Sequence, residues 1–404
     1  MGLGAAHLQT DGGLVSRALQ KPRRTSSRPA FMLGWGSAWP FPRRRRMPQA
    51  EARGGTPERA PPLRMRGPPM SAVTVVIPNW NRRDLLERLI RQLGAQSHPV
   101  AEILVIDNGS QDGSAEAARQ AGARAIEMGR NAGFSAAVNR GILETRTELL
   151  AIVNNDVEPA PTWLERLVEA MRKPEVSFAA GKLLSASHPG SLDGAYDALS
   201  RGACSWRAGN GRPDGSPWDR PAEIRFAPFT ATLFRTELFR QVGLLDERFG
   251  SYLEDVDFCL RAARLGRFGS YVPTAVAVHQ GSGTLGRWHK DVVRLLARNQ
   301  VLLVAKHYSG RDVLRYGWRI LVAQALWGGV AARHGRLLSF LRGKLEGLAV
   351  AHAAAPDLEV FLDMVDGLYP REDILINYIG PVIGTHAGPR CIGICYRLAE
   401  TAEG

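Results

Sequence analysis

The sequence has little cysteine and no long uncharged apolar run. Only 4 of its 404 residues are Cys, and none of them forms a Cys-x-x-Cys pair: Cys204, Cys259, Cys391 and Cys395. This usage predicts ordinary reduced thiols rather than a disulfide framework. No run of about 18 uncharged apolar residues occurs, which argues against a membrane-spanning helix. We therefore expect a cytoplasmic protein, with a peripheral position on the inner face of the cell membrane as the alternative.

Two common phosphate-binding motifs are also missing. No G-x-G-x-x-G follows the first predicted strand, and G-x-x-x-x-G-K-[ST] occurs nowhere in the chain. These absences disfavour the usual dinucleotide fingerprint and the P-loop.

Acidic residues are scarce in the first 69 residues. That segment holds 13 of the 52 Lys and Arg residues and only 3 of the 39 Asp and Glu residues, so it carries ten of the 13 net positive charges. It is rich in Arg, Pro and Gly, has no apolar periodicity, and is expected to be disordered. One interpretation is a tail that binds nucleic acid or a membrane. The favoured one is that translation begins at Met70, which leaves a nearly neutral protein with no nucleic-acid partner.

From residue 73 onward, short apolar runs alternate with helical patterns. The predicted strands are VTVVI (73–77), EILVID (102–107), ARAIEM (123–128) and LLAIV (149–153). Between the first two strands, leucine and isoleucine recur at helical spacing from Arg83 to Leu93. Such alternation predicts an α/β fold with a parallel, doubly wound sheet, in which ligands bind beyond the carboxyl ends of the strands.

Polar residues stand at three of these strand ends. They are Pro78, Asn79 and Asn81; Asp107, Asn108 and Ser110; and Asn154, Asn155 and Asp156. A single such end is consistent with a turn, since Asn and Asp hydrogen-bond their own backbone. Three on one edge of a sheet predict a nucleotide site.

A second polar segment, LLDERFGSYLEDVDFCLR, spans residues 244–261. Its carboxylates include Asp246, Glu254, Asp255 and Asp257, which fall close together. Acids at a helix N-terminus can simply complement its dipole. Carboxylates this close also raise one another's pKa, which suits a general base. Downstream, a strand ends near Val278 and is followed by His279, which is predicted to face the same edge as Asp156.

These motifs, in this order and spacing, resemble glycosyltransferase family 2. The resemblance rests on VTVVIPNWNRRDLLERLI, ILVIDNGSQDGS, GRNAGFSAAVNRGI, LLAIVNNDVEPAPTWLERLV and FGSYLEDVDFCLRAARLGRFGSYVPTAVAVHQGSG. It covers about residues 72–345 and is strongest to the bacterial rhamnosyltransferase-like branch. It implies the GT-A fold, a doubly wound, mostly parallel Rossmann-like sheet with helices on both faces.

The resemblance also implies an inverting transfer of a sugar, such as rhamnose, from a UDP- or dTDP-sugar. The acceptor would be a hydroxyl of a cell-surface glycan or a lipid-linked glycan. Asp107 matches the aspartate that bonds the pyrimidine base, and Pro78 and Asn79 line that pocket. Asn131 is expected near the ribose and diphosphate. We assign Asn81, Asn108 and Asn155 to the same nucleotide-sugar site.

Metal and catalytic residues follow from the same resemblance. Asn154, Asn155 and Asp156 occupy the family's DxD position, where Asp156 would bind Mg²⁺ or Mn²⁺. The chain departs from DxD at Asn154, whose amide oxygen can still be a ligand, and His279 matches a downstream histidine ligand. Asp255 matches the catalytic base, with Glu254 and Asp257 orienting it or binding acceptor hydroxyls. Trp80 and Trp206 could stack on sugars, although packing is the favoured role.

The predicted domains are 1–69, a basic segment; 70–309, the GT-A domain; 310–347, an amphipathic helical extension; and 348–404, a small α/β tail. The extension carries several Arg residues beside an apolar face, which favours contact with an anionic membrane, packing or dimerisation. The tail is expected to begin with a strand and a helix, and IGPVIGTHAGP resembles the end of DegV-family fatty-acid-binding proteins. Alternative functions are a DegV-like lipid carrier, a nucleic-acid-binding chain and a nucleotidyltransferase.

Overall fold

The chain begins with strands and helices in alternation, in a computed structural model that describes residues 71–281, 286 and 288–353. The elements are β1 (Val73–Asn79), α1 (Arg83–Gly94), β2 (Glu102–Asp107), α2 (Ser114–Gln120), β3 (Arg124–Glu127), α3 (Phe134–Glu144) and β4 (Leu149–Val153). The four predicted strands are therefore confirmed, each within two residues of its predicted ends. The predicted basic segment 1–69 lies outside the described residues.

Helix α1 shows how the apolar spacing becomes packing. Leu86, Leu89, Ile90 and Leu93 lie on one face and are buried against the sheet. Full burial of one such side chain stabilises the fold by roughly 1.5–3 kcal/mol, so this face holds the helix in place.

The second half of the domain is more irregular. Its elements are β5 (Val157–Pro159), α4 (Trp163–Ala170), β6 (Val176–Ser185), β7 (Leu192–Gly194), β8 (Asp197–Leu199), β9 (Ser205–Arg207), β10 (Ala222–Ile224), β11 (Ala231–Arg235), α5 (Thr236–Val242), a 3₁₀ turn (Glu247–Phe249), α6 (Glu254–Arg264) and β12 (Phe268–His279). Several of these strands have only three residues, which is too short for a periodic signal in the sequence.

The main sheet is mixed rather than uniformly parallel. Its order is β10-β12-β6-β11-β4-β1-β2-β3, with β5 and β7 pairing at the side of β12 and β6. Strands β1, β2, β3 and β4 run parallel, as expected. Strand β11, however, lies antiparallel between β4 and β6. The α/β class with helices on both faces is confirmed, and the parallel arrangement is restricted to β1–β4 and the β6–β12 pair.

Successive residues of the strands point to two separate apolar cores. Val75 and Ile77 of β1 face the core under α1 and α4, whereas Val76 faces the core under α3, α5 and α6. Burial on both faces explains why these strands are continuous apolar runs. Because both faces of these strands are buried, polar side chains that bind a ligand can stand only at the strand ends.

Three helices follow the domain: α7 (Lys290–His307), α8 (Gly310–Arg333) and α9 (Leu337–Ala353). The predicted helical extension is confirmed, and α8 runs without a break through Gly317, Gly328 and Gly329. Residues 348–353, predicted as a strand, belong to α9. The rest of the DegV-like segment lies outside the described residues. Within the described part of the chain, no helix is both long enough and apolar enough to cross a membrane.

Candidate active site

The polar ends of β1, β2 and β4 meet at one edge of the sheet. The amide of Asn79 donates to Asp107 Oδ1 at 3.2 Å, and the amide of Asn155 donates to Asn79 Oδ1 at 2.7 Å. Because the three strands are parallel neighbours, their carboxyl ends are brought together by the sheet itself. The structure thus joins three sequence segments that were predicted to form a nucleotide site.

The loop after β2 is built around the Asp107 carboxylate. Asp107 Oδ2 accepts a hydrogen bond from the Ser110 backbone N–H at 3.0 Å, and the Ser110 hydroxyl accepts one from the Asn81 backbone N–H at 2.7 Å. Gly109 has φ +78°, and a Cβ there would lie 2.7 Å from the backbone of Arg130. The loop therefore needs glycine at 109, and it holds the β1 and β2 ends in register.

Asn108 and Asn131 connect this loop to the start of α3. The Asn108 amide donates to Asn131 Oδ1 and to the Gly133 carbonyl, both at 3.1 Å, and Asn108 Oδ1 accepts from the Ala132 N–H at 2.8 Å. Both side chains are committed to shaping the loop. Pro78 lies within β1 beside Asn79 and pairs with Ile106 of β2. All the predicted nucleotide-site residues thus lie on this edge and its loops.

The end of β4 carries two buried side-chain oxygen atoms. Asn154 Oδ1 and Asp156 Oδ1 are both buried and accept no hydrogen bond. His279, at the end of β12, approaches Asp156 because His279 pairs with Val157 of β5; its Nε2 lies 3.3 Å from Asp156 Oδ1. Buried polar atoms without partners are costly unless something satisfies them.

His279 is oriented by a carboxylate that the sequence analysis missed. Asp193 of β7 contacts His279 Nδ1 at 2.9 Å through its Oδ2. Burial alone would lower the pKa of His279, but the contacts with Asp156 and Asp193 outweigh it and raise the pKa to about 9. A histidine held by a carboxylate on one nitrogen, with its other nitrogen facing an acidic site, is the usual arrangement around a metal ligand.

These residues fit a divalent cation. Two buried oxygens and one imidazole nitrogen are ligands that Mg²⁺ or Mn²⁺ accepts. No cluster of three or more His, Cys, Asp or Glu residues able to hold a metal was found in the part of the chain that the structure describes.

On the other side of the site, α6 begins with Glu254 and Asp255. Two residues with positive φ, Tyr252 at 73° and Leu253 at 67°, precede the helix. Non-glycine residues are costly in this region, and such strain is concentrated at functional sites. The bend places Asp255 in the first turn, where its Oδ1 accepts the N–H of Val256 at 2.8 Å.

The Asp255 carboxyl is tuned for proton transfer near neutral pH. Burial raises its pKa, the neighbouring Asp197 raises it further, and Arg207 opposes them, giving a pKa of about 7. Burial and the adjacent Asp255 raise the pKa of Glu254 well above its usual range. Burial and the neighbouring Asp255 thus favour the neutral form of the Glu254 carboxyl.

Asp257 is not part of this arrangement, and the role assigned to it beside Asp255 does not fit the structure. Its carboxylate is fully buried between α6 and α7, where it contacts His307 Nε2 at 2.7 Å, Lys306 Nζ at 2.9 Å and Arg261 Nε at 3.1 Å. Residues 255 and 257 lie on different sides of a helix, so the two acids could not share one site. Trp80 and Trp206, for which packing was the favoured role, are 39% and 51% exposed, so packing covers only part of each side chain.

Three further residues of the site escaped sequence reasoning: Asp193, Asp197 and Arg207. They lie on three-residue strands that have no periodic pattern. The available signal was the pair of acids in DGAYD, four residues apart, which an isolated sequence does not distinguish from a turn.

Residues 74–243 match the family model for glycosyl transferase family 2. The chain is similar to the N-acetylglucosaminyl-diphospho-decaprenol L-rhamnosyltransferase of Mycobacterium tuberculosis, with 27% identity over 61% of this chain and 87% of that protein. It is also similar to the pre-mycofactocin glycosyltransferase of the same organism, with 27% identity over 74% of this chain and 61% of that protein.

Among solved structures, the chain is similar to the mannosyltransferase PcManGT from Pyrobaculum calidifontis, solved in complex with GDP-Man and Mn²⁺. The identity is 17%, the TM-score is 0.43, and the match covers 74% of this chain and 81% of that one. At this TM-score the similarity does not by itself identify the fold.

Proposed function

We propose that this glycosyltransferase, whose residues 74–243 form a family 2 domain, moves a sugar from a nucleotide-sugar donor to a hydroxyl group of a lipid-linked glycan. The donor would be a UDP- or dTDP-sugar, with rhamnose among the candidates. The transfer would proceed with inversion at the anomeric carbon. The proposal goes beyond the family match in naming the donor class, the acceptor class and the residues that act.

One observation carries the proposal: the polar ends of β1, β2 and β4 form one hydrogen-bonded cluster, and the same domain holds a carboxyl with a pKa matched to proton transfer. The cluster joins Asn79, Asp107 and Asn155. The base is Asp255, whose pKa of about 7 is matched to neutral pH. A general base works best when its pKa is near the working pH.

In the proposed reaction, Asp107 holds the pyrimidine base and Asp255 accepts the proton of the acceptor hydroxyl. The acceptor oxygen then forms a bond to the anomeric carbon while the bond from that carbon to the diphosphate breaks, and the nucleoside diphosphate leaves. Asn154, Asp156 and His279 would hold Mg²⁺ or Mn²⁺, which would supply positive charge to the departing diphosphate. Asp193 would keep His279 in the orientation that this requires.

Donor turnover by the full chain tests this function directly. UDP-, dTDP- and GDP-sugars are each incubated with Mn²⁺ or Mg²⁺, and release of nucleoside diphosphate is scored. We expect metal-dependent release from one donor, lost in Asp156→Ala and in Asp255→Asn with an acceptor present. If no donor is turned over or bound, or if Asp156→Ala is as active as the wild type, the proposed function is wrong.

A lipid-linked acceptor is supported by the exposed face of α8 and α9. Large apolar side chains of α8 are 40% to 88% exposed: Leu314, Trp318, Leu321, Val322, Leu326 and Val330. Exposed arginines stand at both ends of this face: Arg311, Arg315, Arg333 and Arg336. A helix with an apolar face and flanking cations lies in the interface of an anionic membrane. We therefore propose that the enzyme binds the inner face of the cell membrane through α8 and α9.

Flotation with liposomes distinguishes membrane binding through α8 from nonspecific adsorption. Leu321→Glu places a charge in the middle of the α8 face, and Leu143→Glu is a matched control, because Leu143 is a 69% exposed leucine on α3. Burying a leucine contributes roughly 1.5–3 kcal/mol, so losing it should weaken binding about tenfold or more. Equal flotation of the two variants with phosphatidylglycerol liposomes, or no flotation of the wild type, would rule out the membrane face.

A further inference from the structure

Arg207, at the end of β9, uses three of its nitrogen atoms on three different partners. Nη1 lies 3.1 Å from Asp193 Oδ2, Nε lies 3.2 Å from Asp197 Oδ1, and Nη2 donates to Thr230 Oγ1 at 3.3 Å. The guanidinium group is planar and its donors have fixed directions, so these contacts lock the three partners relative to one another. Lysine, with a single ammonium group, could not reproduce this arrangement.

On one side, Arg207 contacts the supports of the proposed metal residues. The Asp193 oxygen that it binds is the same oxygen that contacts His279 Nδ1. Thr230, which accepts a hydrogen bond from Arg207 Nη2, also contacts the segment after β4. The backbone carbonyl oxygen of Thr230 accepts a hydrogen bond from the backbone N–H of Asn154 at 2.8 Å. One side chain thus supports both the DxD-like segment after β4 and the histidine opposite it.

On the other side, Arg207 is the cation that faces the proposed base. The groups around Asp255 are Asp197 on β8, Arg207 on β9, Glu254 and Cys259 on its own helix, and the backbone N–H groups of Val256 and Phe229. Among these groups only Arg207 is positively charged, against the two carboxyl groups of Asp197 and Glu254. The charge of Asp255 in the folded protein therefore depends on Arg207.

The backbone around Arg207 leaves room for its side chain at Gly194 of β7. A Cβ at Gly194 would lie 2.1 Å from Arg207 Cγ and 2.2 Å from Cδ. Any side chain at this position must push the arginine stem away from Asp193 and Asp197. Gly194 therefore offers a second way to displace Arg207 without changing its charge.

We propose that Arg207 is a positioning residue of the transferase site, which clamps Asp193 so that His279 is held in its working orientation and which places its positive charge beside Asp197 and Asp255. The proposal rests on the function proposed above and adds a residue to it. Arg207 itself touches neither the donor nor the acceptor. It acts through Asp193 on the metal side and through its charge on Asp255.

The test is the pH profile of kcat/KM for the full chain and three variants. Arg207→Gln removes the charge, Arg207→Lys keeps it, and Arg248→Gln is the control, since Arg248 forms a comparable ion pair with Asp246 outside the site. An arginine beside an aspartate lowers the pKa of that carboxyl by roughly 1–3 units. We therefore expect the acid limb of Arg207→Gln to move up by about one to two units, with roughly tenfold lower activity at pH 7 and recovery above pH 9.

The remaining variants decide between positioning and simple stability. Arg207→Lys should return the acid limb close to the wild-type position, Gly194→Ala should shift it upward by a smaller amount, and Arg248→Gln should leave it unchanged. A uniform loss of activity at every pH in a folded Arg207→Gln protein would overturn the proposal, as would an equal shift in Arg248→Gln.

NMR titration of Asp255 tests the role of Arg207 without requiring transferase activity. If the wild type turns over no donor, the function fails, but the Asp255 carboxyl carbon can still be titrated by NMR in ¹³C-aspartate-labelled full chain. Asp255→Asn assigns the resonance by removing it. A higher titration midpoint in Arg207→Gln supports the proposal, and an unchanged midpoint refutes it.

Discussion

The substitution Asp257→Asn separates structural from catalytic acids in the first turns of α6. Asp257 is fully buried and contacts Arg261, Lys306 and His307, which tie α6 to the end of α7. Burial alone would raise the pKa of Asp257, but these neighbours outweigh it and lower the pKa to about 2. The carboxylate is therefore charged in the folded protein at every ordinary pH.

The expected cost follows from what remains after the substitution. Removing one partner of a buried ion pair costs about 3–5 kcal/mol, because the other charges stay in place without compensation. Arg261 and Lys306 are 19% and 27% exposed, so water screens part of this cost and the lower end of the range applies. For a domain of this size, about 3 kcal/mol lowers Tm by on the order of 10 °C.

The pH dependence has a definite sign. A carboxyl whose pKa is lower in the folded state stabilises the folded protein at pH values above its unfolded pKa of about 3.9. This stabilisation is lost as the pH falls through the pKa of the folded state. Wild-type stability due to Asp257 should therefore decline between about pH 4 and pH 2, and Asp257→Asn should lack that decline. Scanning calorimetry of both proteins across this range measures the difference.

Activity of the same variant completes the comparison. At temperatures where both proteins are folded, kcat/KM of Asp257→Asn should stay within about threefold of the wild type, since a group outside the site contributes little to the chemistry. Asp255→Asn should behave in the opposite way, with an unchanged Tm and little activity. A stable but inactive Asp257→Asn protein would refute the assignment of Asp257 to packing.

Three other predictions follow from single contacts. Asp255→Asn should lower kcat by about 10²–10⁴-fold without weakening nucleotide binding, because only the proton acceptor is lost; stopped assays and calorimetry on one preparation check both. Asp193→Asn should raise the metal concentration for half-maximal activity by roughly 10–100-fold, the usual effect of removing a group that orients a metal-binding histidine, and unchanged metal dependence would contradict the assigned role. Gly109→Ala should destabilise the fold by about 1–3 kcal/mol in urea unfolding, because Gly109 has φ +78° and the new Cβ would lie 2.7 Å from the Arg130 backbone. The control Gly94→Ala should leave the free energy of unfolding nearly unchanged, because open space surrounds Gly94.

The alternating first half of the fold could be predicted because its strands are buried on both faces. Runs such as Leu149–Val153 are apolar at every position and end abruptly in polar residues, so both the strand and its functional end are visible in the sequence. The antiparallel insertion of β11 could not be predicted. Strand direction leaves no mark on a strand as short as ATLFR, and the partners of β11 lie about 50 to 80 residues away in the chain.

For the acids of α6, too, the sequence predicted the segment and only the structure separated the roles of its residues. Their spacing indicated a catalytic segment, but it made Glu254, Asp255 and Asp257 equivalent. Only the packing of α7 against α6 surrounds Asp257 with cations, and only the strained turn at Tyr252 and Leu253 directs Asp255 to the sheet edge. The three pKa values therefore differ although the three residue types are nearly the same.

The sequence by itself determined which strand ends carry polar chemistry, because an uninterrupted apolar strand must be buried and its polar residues can stand only at its ends. Only the tertiary structure decided that Asp193, Arg207 and Asp255 belong together. They come from two short strands and a helix separated by up to 62 positions, and neither Asp193 nor Arg207 has a local pattern that marks it. The charge on a buried carboxyl depends on desolvation and on neighbours a few ångströms away, and folding alone sets both.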